Sequence, residues 1–507
     1  MTLKLDTRAD HFADTTAVVD DTDETTVSYD ELQNRAATTA GRLAALGVDS
    51  DDAVVVISRN RIELLELFFA AERLGAVLAP VSYRLPESDV RELTERIKPT
   101  LVLAEERFGG LVESTESEGS KESKSRSFVE FDAVEPAPTT PIDQEAVDAE
   151  DPLLYLHTGG TTGTPKVVVV TRRQTEWNCI TQASAWGLGN DDVSPVLLPL
   201  FHTGGWHLLT LPTLYVGGTV VLQREFEPGA ALGMLDAHNA THVFGVAAIF
   251  EAMAGHEAFD DADLSSVEWL MSGGGPTPES VMEPYRERGL AFTQGYGLTE
   301  GGPSNLYVDA RRPDAADKSD TVGKPFPDCE ARVVDDDGDR LSTGEIGELE
   351  IRGPVAAREY LTTEDGTFGT GNGPREDGEW VSTGDLATVD ADGDYRITGR
   401  VDNMFVSGGE NVHPESVEDT LEDHPEIAAV GVVGVDHERW GTVPKAVVVP
   451  ERDGDDAVGN DLKAFARENL ADYECPNTYE FVDALPESGA GKLDRAALAE
   501  QFGGDTT

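Results

Sequence analysis

The spacing of apolar and polar positions near the N-terminus predicts a helix. Residues 28–31 read Ser-Tyr-Asp-Glu, a capping box in which the serine and the glutamate each satisfy a backbone N–H at the start of a helix. Apolar residues then recur every three or four positions from Leu32 to Leu43 and so share one helical face. Gly47 is the residue type that most easily ends a helix. We therefore expect a helix between Ser28 and Gly47.

Strand-like and helix-like segments then alternate. Apolar runs predict strands, and amphipathic spacing predicts helices, in the order Ala53–Ile57, Ile62–Leu74, Ala76–Val81, Glu87–Ile97 and Leu101–Ala104. This alternation is typical of a layered α/β domain with parallel strands. Between Gly109 and Asp151 the pattern gives way to polar residues around one apolar patch, Phe128–Phe131, and we interpret this stretch as an exposed, mobile loop.

The predicted secondary-structure elements become shorter near Arg400. After a second loop-like stretch at Thr362–Gly378, shorter elements are predicted at Glu415–Glu422, Ile427–Val435, Val443–Val449, Asp461–Leu470 and Tyr479–Val482. We therefore predict an α/β protein in two parts. Residues 1–399 would form a large N-terminal domain of layered α/β subdomains, and residues 400–507 a small, mobile C-terminal α+β domain.

The charge balance indicates the ionic environment and the kinds of partner to expect. Among 507 residues, 96 Asp and Glu face 39 Lys and Arg, which gives a formal net charge of -57. Such self-repulsion strains a compact state in dilute buffer, whereas ~1 M salt shortens the Debye length to ~3 Å. We expect a protein suited to the salt-rich cytosol of a halophile, the alternative being an ordinary acidic protein. Nucleic acid and anionic membranes are poor partners for this charge.

Cysteine usage and apolar segments indicate the compartment. Cys179, Cys329 and Cys475 lie far apart without metal-type spacing, as expected in a reducing environment. The N-terminus has no basic region followed by an apolar block, so no signal peptide is expected. The most apolar segment, Leu64–Val81, is interrupted by charges and falls short of the ~18 residues of a membrane span. We expect a cytoplasmic monomer or homodimer without a membrane span.

A Gly/Thr-rich segment carries the first chemical signal. Residues 157–166 read His-Thr-Gly-Gly-Thr-Thr-Gly-Thr-Pro-Lys and precede the strand-like Val167–Val170. Glycines and small hydroxyl residues let successive N–H groups converge on an anion, and Lys166 adds a positive charge. The segment departs from the Walker pattern, because proline precedes the lysine and valine follows it. It indicates a phosphate cradle, with a plain hairpin as the alternative.

This segment resembles the phosphate loop of the superfamily of acyl-CoA synthetases, luciferases and nonribosomal-peptide adenylation domains. Gly159 stands where that loop usually has serine, and Val167 where it usually has glycine. The missing hydroxyl predicts altered nucleotide affinity with the backbone cradle kept. The resemblance implies that the phosphates of ATP contact Thr158, Gly159, Gly160, Thr161, Thr162, Gly163 and Lys166.

Further segments resemble the same superfamily in the same order along the chain. Residues 294–300, Gln-Gly-Tyr-Gly-Leu-Thr-Glu, match its Tyr-Gly-x-Thr-Glu segment. The match implies that Tyr296 stacks on adenine, Thr299 contacts the α-phosphate and Glu300 helps to hold Mg²⁺. A carboxylate suits a hard cation that already carries phosphate ligands. Taken alone, the segment would also fit a turn with a buried tyrosine.

Two short motifs complete the expected nucleotide contacts. Residues 272–276 resemble a Gly-Gly-Ala-Pro turn, which implies that backbone at Gly273, Gly274 and Gly275 borders adenine. Residues 382–385 match a Thr-Gly-Asp motif in which the aspartate, here Asp385, accepts hydrogen bonds from both ribose hydroxyls. Each motif alone would equally fit a loop or a solvated turn.

The longest match covers residues 399–415. It resembles the junction between the large and small domains, which implies that Arg400 contacts the ribose and that Asp402 is the hinge. Gly408 and Gly409 would reach the pantetheine channel of coenzyme A after the small domain turns. The alternative is a plain interdomain linker.

Three more residues take expected roles from the resemblance. Residues 485–492 resemble a Gly-Lys loop, which implies that Lys492 bridges the substrate carboxylate and the α-phosphate, although Glu487 stands where a basic residue is common. His202 would border the carboxylate site, and Trp440 would lie near coenzyme A. A solvated lysine, a core histidine and a packed surface tryptophan are the alternatives.

The resemblance implies an AMP-forming carboxylate:CoA ligase that uses ATP, Mg²⁺ and coenzyme A. We expect a medium- or long-chain fatty acid as substrate. The alternatives are an aryl acid such as benzoate or succinylbenzoate, and a stand-alone enzyme that loads a carrier protein. A further alternative, outside the enzymes, is a non-catalytic nucleotide-binding protein. The retained motif residues argue against it. The acyl pocket is expected around Trp206, Val243–Ala248 and Gly295–Gly297.

Overall fold

The computed structural model places the chain in two compact units. One comprises residues 1–331, 350–381 and 393–395, and the other comprises residues 332–349, 382–392 and 396–507. The predicted boundary at residue 400 stays a prediction. The structure describes residues 5–113, 127–130, 147–158, 166–357, 359–361, 379–407, 410–437, 441–451, 456–471, 473–486 and 493–503.

Helices and strands alternate along most of the described chain. The helices are α1 (Leu5–Phe12), α2 (Tyr29–Ala45), α3 (Ile62–Leu74), α4 (Glu87–Ile97), α5 (Gly110–Glu113), α6 (Arg172–Trp186), α7 (Thr203–His207), α8 (Thr210–Val216), α9 (Pro228–Ala237), α10 (Ala247–Ala254), α11 (Glu279–Glu287), α12 (Pro414–Glu422), α13 (Asp456–Asn469) and α14 (Arg495–Phe502). Within the described ranges, none of them combines the length and the apolar character needed to cross a membrane.

The strands of the described residues form five sheets. They are β1 (Thr16–Asp20), β2 (Thr25–Ser28), β3 (Ala53–Ile57), β4 (Val77–Pro80), β5 (Leu101–Ala104), β6 (Ser127–Glu130), β7 (Pro152–Thr158), β8 (Lys166–Thr171), β9 (Val193–Val196), β10 (Thr219–Leu222), β11 (His242–Gly245), β12 (Trp269–Ser272), β13 (Phe292–Tyr296), β14 (Leu306–Tyr307), β15 (Lys324–Pro325), β16 (Glu330–Val334), β17 (Gly347–Arg352), β18 (Glu359–Tyr360), β19 (Val381–Val389), β20 (Tyr395–Arg400), β21 (Phe405–Ser407), β22 (Glu410–Val412), β23 (Ile427–His437), β24 (Gly441–Pro450) and β25 (Thr478–Phe481).

The N-terminal helix and strand predictions are confirmed. Ser28 Oγ accepts from the N–H of Glu31 at 3.2 Å, and Glu31 Oε2 accepts from the N–H of Ser28 at 2.9 Å. This reciprocal pair starts α2, and Gly47 follows its end in a left-handed conformation at φ 89°. The bounds of β3, α3, α4 and β5 are those predicted, and β4 is one residue shorter at each end.

In the described part of the first unit there are three sheets, and two of them carry motifs of the expected active site. The largest has the strand order β18-β8-β7-β4-β3-β5-β6, in which β7, β4, β3, β5 and β6 pair in parallel and β8 pairs antiparallel with both β7 and β18. A second has the order β11-β12-β13-β14-β15, with β11, β12 and β13 parallel. The third has the order β2-β1-β10-β9. The predicted layered α/β architecture is thus confirmed.

One segment of the predicted mobile loop is a strand. Ser127–Glu130 forms β6 and pairs in parallel with β5, with Phe128 opposite Val102. The prediction of a loop was wrong here because polar neighbours on both sides hid a short run of residues with high β propensity at the sheet edge. Gly110–Glu113 is the short helix α5. The rest of residues 114–146, and residues 362–378, lie outside the described residues.

The second unit is built largely around β23 and β24. These long strands pair antiparallel from Ile427 opposite Pro450 to His437 opposite Gly441. Their inward side chains pack with α12 and α13 in a core that includes Val432, Val448 and Leu462. The predicted short elements of this region are all present, and the small C-terminal α+β part is confirmed.

Removal of the helix cap tests the local basis of α2. Ser28→Ala leaves the N–H of Glu31 without its side-chain acceptor, so we expect a loss of about 1 kcal/mol in the free energy of unfolding. Denaturant unfolding followed by circular dichroism measures the change. Ser280→Ala, at an exposed position inside α11, is the matched control and should leave the transition unchanged. Equal effects of the two substitutions would contradict the assignment of the cap.

Candidate active site

The hairpin of β7 and β8 places both ends of the Gly/Thr-rich segment side by side. Thr158 and Lys166 lie directly opposite each other in the antiparallel register. Below them, the buried Leu154 and Leu156 of β7 and Val168 of β8 anchor the hairpin in the sheet. Residues 159–165 lie outside the described residues, so the phosphate contacts of Gly159, Gly160, Thr161, Thr162 and Gly163 stay predictions.

One tyrosine brings Lys166 and Glu300 together. The Nζ of Lys166 lies 5.2 Å from the centroid of the Tyr360 ring, within the range of a cation–π contact. The hydroxyl of Tyr360 donates to Glu300 Oε1 at 2.7 Å. The backbone of Glu300 is held as well, because its carbonyl accepts from the N–H of Ala357 at 2.8 Å. The predicted phosphate lysine and the predicted metal ligand therefore contact the same side chain.

The predicted adenine motifs follow adjacent parallel strands. Gly245 at the end of β11 pairs with Ser272 of β12, which pairs with Gln294 of β13. Because parallel strands end at the same edge, the turn Gly273–Gly275 after β12 and Tyr296 at the end of β13 lie along one edge of the sheet. The N–H of the first glycine of that turn donates to the carbonyl of Gly245 at 3.1 Å. Tyr296 is half-buried.

A close backbone approach shapes the turn that carries Thr299 and Glu300. A β-carbon at Gly297 would lie 1.8 Å from the carbonyl oxygen of Pro303, so no larger residue fits without a shift of the backbone. The turn continues into a short 3-10 helix, Thr299–Gly301, in which Glu300 is half-buried. The path of the backbone thus fixes the positions of the Cα atoms of Thr299 and Glu300.

His202 lies in a group of aromatic rings in the first unit. It stands at the N-terminus of α7, with its ring centroid 4.7 Å from that of Phe201 and 6.2 Å from that of His157. His157 Nε2 accepts from the N–H of Ser82 at 3.0 Å, and burial lowers the pKa of His157 to about 4. His157 is therefore neutral at pH 7, and the neighbouring His202 is half-buried.

Asp385 and Arg400 form an ion pair inside the second unit. Arg400 Nη1 donates to Asp385 Oδ1 at 2.6 Å. The backbones next to this pair are joined as well. The carbonyl of Gly384, which has a φ of 71°, accepts from the N–H of Val401 at 2.9 Å. Asp385 is buried, so the arginine compensates its charge. The two predicted ribose contacts are thus neighbours.

Besides residues 159–163, four more predicted site residues lie outside the described residues, namely Gly408, Gly409, Trp440 and Lys492. The expected pocket residue Trp206 is described and differs from the prediction. It is fully buried and its ring stacks on Phe68 at 5.2 Å, so it belongs to the hydrophobic core and not to an open pocket wall. Its apolar neighbours in the sequence did not distinguish these two environments.

Glu300 fits the binding of Mg²⁺ together with a nucleotide. The described residues hold no group of three or more His, Cys, Asp or Glu side chains arranged for a metal ion. Mg²⁺ usually keeps several waters and takes one or two carboxylates plus substrate phosphates, so a single oriented carboxylate is a sufficient donor set. The Tyr360 hydroxyl orients that carboxylate by its bond to Oε1.

Sequence reasoning missed Tyr360 and a buried polar network. Ser304 Oγ donates to Asn178 Oδ1 and accepts from Gln182 Nε2, both at 2.7 Å. Both amides also donate to the carbonyl of His207, at 2.7 Å and 2.5 Å. This network joins α6, the end of α7 and the chain just after Glu300. Polar residues on an otherwise buried helix were its only sequence signal, and a two-residue strand leaves no periodic signal for Tyr360.

The fold and the site define the class of protein, and comparison with known families agrees. Residues 5–361 match the family model of the AMP-binding enzyme, and residues 416–492 match that of the AMP-binding enzyme C-terminal domain. The chain therefore belongs to the AMP-binding enzyme family. It is an AMP-forming acid–thiol ligase of the adenylate-forming superfamily, with ATP, Mg²⁺ and coenzyme A as its cofactor and co-substrates.

Individual relatives give a finer comparison. The chain is 36% identical to a feruloyl-CoA synthase of Amycolatopsis sp over 481 residues, 94% of each protein. It is 32% identical to an indoleacetate–CoA ligase of Aromatoleum aromaticum, over 93% of this chain and 92% of that protein. The structure of o-succinylbenzoate CoA synthetase from Bacillus subtilis, in complex with its acyl-adenylate, superposes with a TM-score of 0.86 at 26% identity and covers 98% of both chains.

The neutral state of His157 predicts a pH dependence of stability. Below pH ~6.5 the unfolded chain protonates this histidine, but the folded protein resists protonation until about pH 4. Its contribution is therefore complete above pH ~6.5 and is lost as the pH falls toward 4, by about 1–2 kcal/mol at pH 5. Denaturant unfolding at pH 7 and pH 5 measures this loss.

The matched variants isolate that contribution. His157→Asn should reduce the loss of stability between pH 7 and pH 5 by that amount, because asparagine does not titrate, while other groups such as the buried His207 keep their own contributions. The control His11→Asn, at an exposed position in α1, should keep the slope of the unchanged protein. If His157→Asn kept that slope as well, the neutral buried state would be the wrong explanation.

Proposed function

We propose that this enzyme activates an aromatic carboxylic acid as its acyl-adenylate and transfers the acyl group to coenzyme A. The observation that carries the choice of acid is the 36% identity to a feruloyl-CoA synthase over 94% of both chains. A second relative is named for indoleacetate, another acid with an aromatic ring. A medium- or long-chain fatty acid stays an untested prediction.

Aromatic residues around His202 support this choice of acid. Tyr83 stacks on Phe108 with centroids 4.8 Å apart and meets Phe201 edge-on at 5.4 Å, and Phe201 contacts His202. Aromatic rings favour offset and edge-to-face contacts with other rings. An aryl acid whose carboxylate lies beside His202 would find such partners in the half-buried Tyr83 and Phe108, whereas a long alkyl chain gains no directional contact from them.

The first step makes the carboxylate reactive. A carboxylate is a poor electrophile, so its oxygen attacks the α-phosphorus of ATP in line, forms the acyl-adenylate and releases pyrophosphate. Lys166 and Lys492 stabilise the charge that builds on the phosphates, and Thr299 binds the α-phosphate. Glu300 would hold Mg²⁺, which would neutralise charge on the phosphates. Tyr296 and the turn at Gly273–Gly275 hold the adenine.

The second step transfers the acyl group to the thiol of coenzyme A, and AMP leaves. In this proposal Asp385 and Arg400 bind the ribose, and Asp402 is the hinge about which the C-terminal part turns. Gly408 and Gly409 then line the pantetheine channel, with Trp440 near coenzyme A. Conformational steps of this kind often set the rate of an enzyme.

A substrate panel tests the choice of acid. Purified protein in concentrated KCl is given ATP, Mg²⁺, coenzyme A and one acid at a time, and both pyrophosphate and AMP are measured. We expect kcat/KM for ferulate, indoleacetate or succinylbenzoate to exceed that for hexanoate, decanoate and palmitate by at least tenfold, about 1.4 kcal/mol of transition-state discrimination. Faster turnover of the fatty acids would overturn the aryl assignment and leave the ligase class intact.

The role of Lys492 is tested separately. Lys492→Ala should lower the rate of pyrophosphate release about 10²–10³-fold, the usual effect of removing one preorganised donor to a transition state. Binding of MgATP, measured by calorimetry without the acid, should change little. Lys463→Ala on α13 is the matched control, and we expect it to keep both values. Normal pyrophosphate release by Lys492→Ala would exclude the lysine from the first step.

A further inference from the structure

We propose that Tyr360 is a positioning residue with two separable functions: its hydroxyl orients Glu300 for the metal, and its ring holds Lys166 beside the phosphate loop. This inference rests on the proposed function, because it concerns the same nucleotide site. Sequence reasoning assigned no role to Tyr360, and the contacts of its two ends carry the argument.

The backbone of Tyr360 is fixed to the strand that begins with Lys166. In β18, Glu359 pairs with Val169 and Tyr360 with Val168 of β8. The N–H of Leu361 then donates to the carbonyl of Val167 at 2.7 Å. These pairings align the tyrosine with the first residues of β8, so its side chain starts from a defined position near Lys166.

The hydroxyl of Tyr360 acts on Glu300 together with a backbone contact. The N–H of Ala357 donates to the Glu300 carbonyl at 2.8 Å, and the Tyr360 hydroxyl donates to its Oε1 at 2.7 Å. Two anchors from one short segment, one on the main chain and one on the side chain, restrict the rotation of the carboxylate. Outer partners of this kind orient metal ligands, and their loss typically lowers metal affinity or activity ~10–100-fold.

The ring of Tyr360 acts on Lys166. The ammonium group lies 5.2 Å from the ring centroid, where the negative face of the ring attracts it. A lysine side chain has four rotatable carbons and loses much conformational freedom when it becomes ordered. A ring that already holds the ammonium near the loop therefore reduces the ordering needed when the triphosphate arrives.

Two substitutions separate the functions. Tyr360→Phe removes the hydroxyl and keeps the ring, so we expect the Mg²⁺ concentration for half-maximal binding of ATP to rise about tenfold. Tyr360→Leu removes both, and we expect a further rise of about twofold to fivefold in the Kd for MgATP. Calorimetric titration of ATP at fixed Mg²⁺ concentrations, without acid or coenzyme A, gives both values independently of turnover. Thermal unfolding reports whether each variant folds.

Matched controls distinguish positioning from loss of structure. Tyr285→Phe removes a hydroxyl that donates to the Phe250 carbonyl at 2.7 Å in a different core, and it should leave the Mg²⁺ dependence unchanged. In a Glu300→Gln background, Tyr360→Phe should add no further change, because it acts through Glu300.

Each outcome decides the proposal. An unchanged Mg²⁺ dependence in a folded Tyr360→Phe protein would overturn the assignment of the hydroxyl, as would an additive effect in the Glu300→Gln background. Equal ATP affinity of Tyr360→Phe and Tyr360→Leu would overturn the assignment of the ring. If the unchanged protein did not bind MgATP, the proposed function itself would be wrong. That result is separate from the outcomes for the Tyr360 variants.

Discussion

The rest of the candidate site depends on the antiparallel pairing of β8 with β7 on one side and with β18 on the other. The first pairing sets Thr158 opposite Lys166, and the second sets Tyr360 opposite Val168. Residues separated by about 200 positions in the chain thereby become neighbours at one sheet edge. Main-chain hydrogen bonds specify this register, because a slip by one residue would turn every side chain of β8 to the opposite face.

A second constraint comes from the parallel strands β11, β12 and β13. Their register places the ends of all three at one edge, and the backbone at Gly297 passes too close to Pro303 for any β-carbon. Glycine therefore determines the path that leads from Tyr296 to Glu300. The proposed chemistry of this segment depends as much on the missing side chain at Gly297 as on Thr299 and Glu300, the two side chains that are proposed to bind.

The overall charge makes the local placement of cations more important. A chain with a formal net charge of -57 repels a triphosphate at long range, and at ~1 M salt that repulsion is screened beyond ~3 Å. Contacts within the site are much less affected because they act at short distances in a partly buried environment. In the first unit Lys166 is held by the Tyr360 ring, and in the second unit Arg400 is held by its ion pair with Asp385, so each of these cations acts by its position and not by adding to a general field.

Much of the fold could be predicted from the sequence, because the signals were local. The capping box at Ser28 and the apolar runs at β3 and β5 need no distant partner to be recognised. Tyr360 shows why the rest could not be predicted. Its strand has two residues, too few for any periodic pattern, and its importance comes from Glu300, a residue 60 positions away. The prediction that Trp206 lines the acyl pocket was wrong for a related reason. An apolar side chain near a site gives the same sequence signal whether it faces the core or the ligand. The local sequence pattern thus predicts the secondary-structure element that carries each side chain. Only the packing of distant segments decides what that side chain contacts.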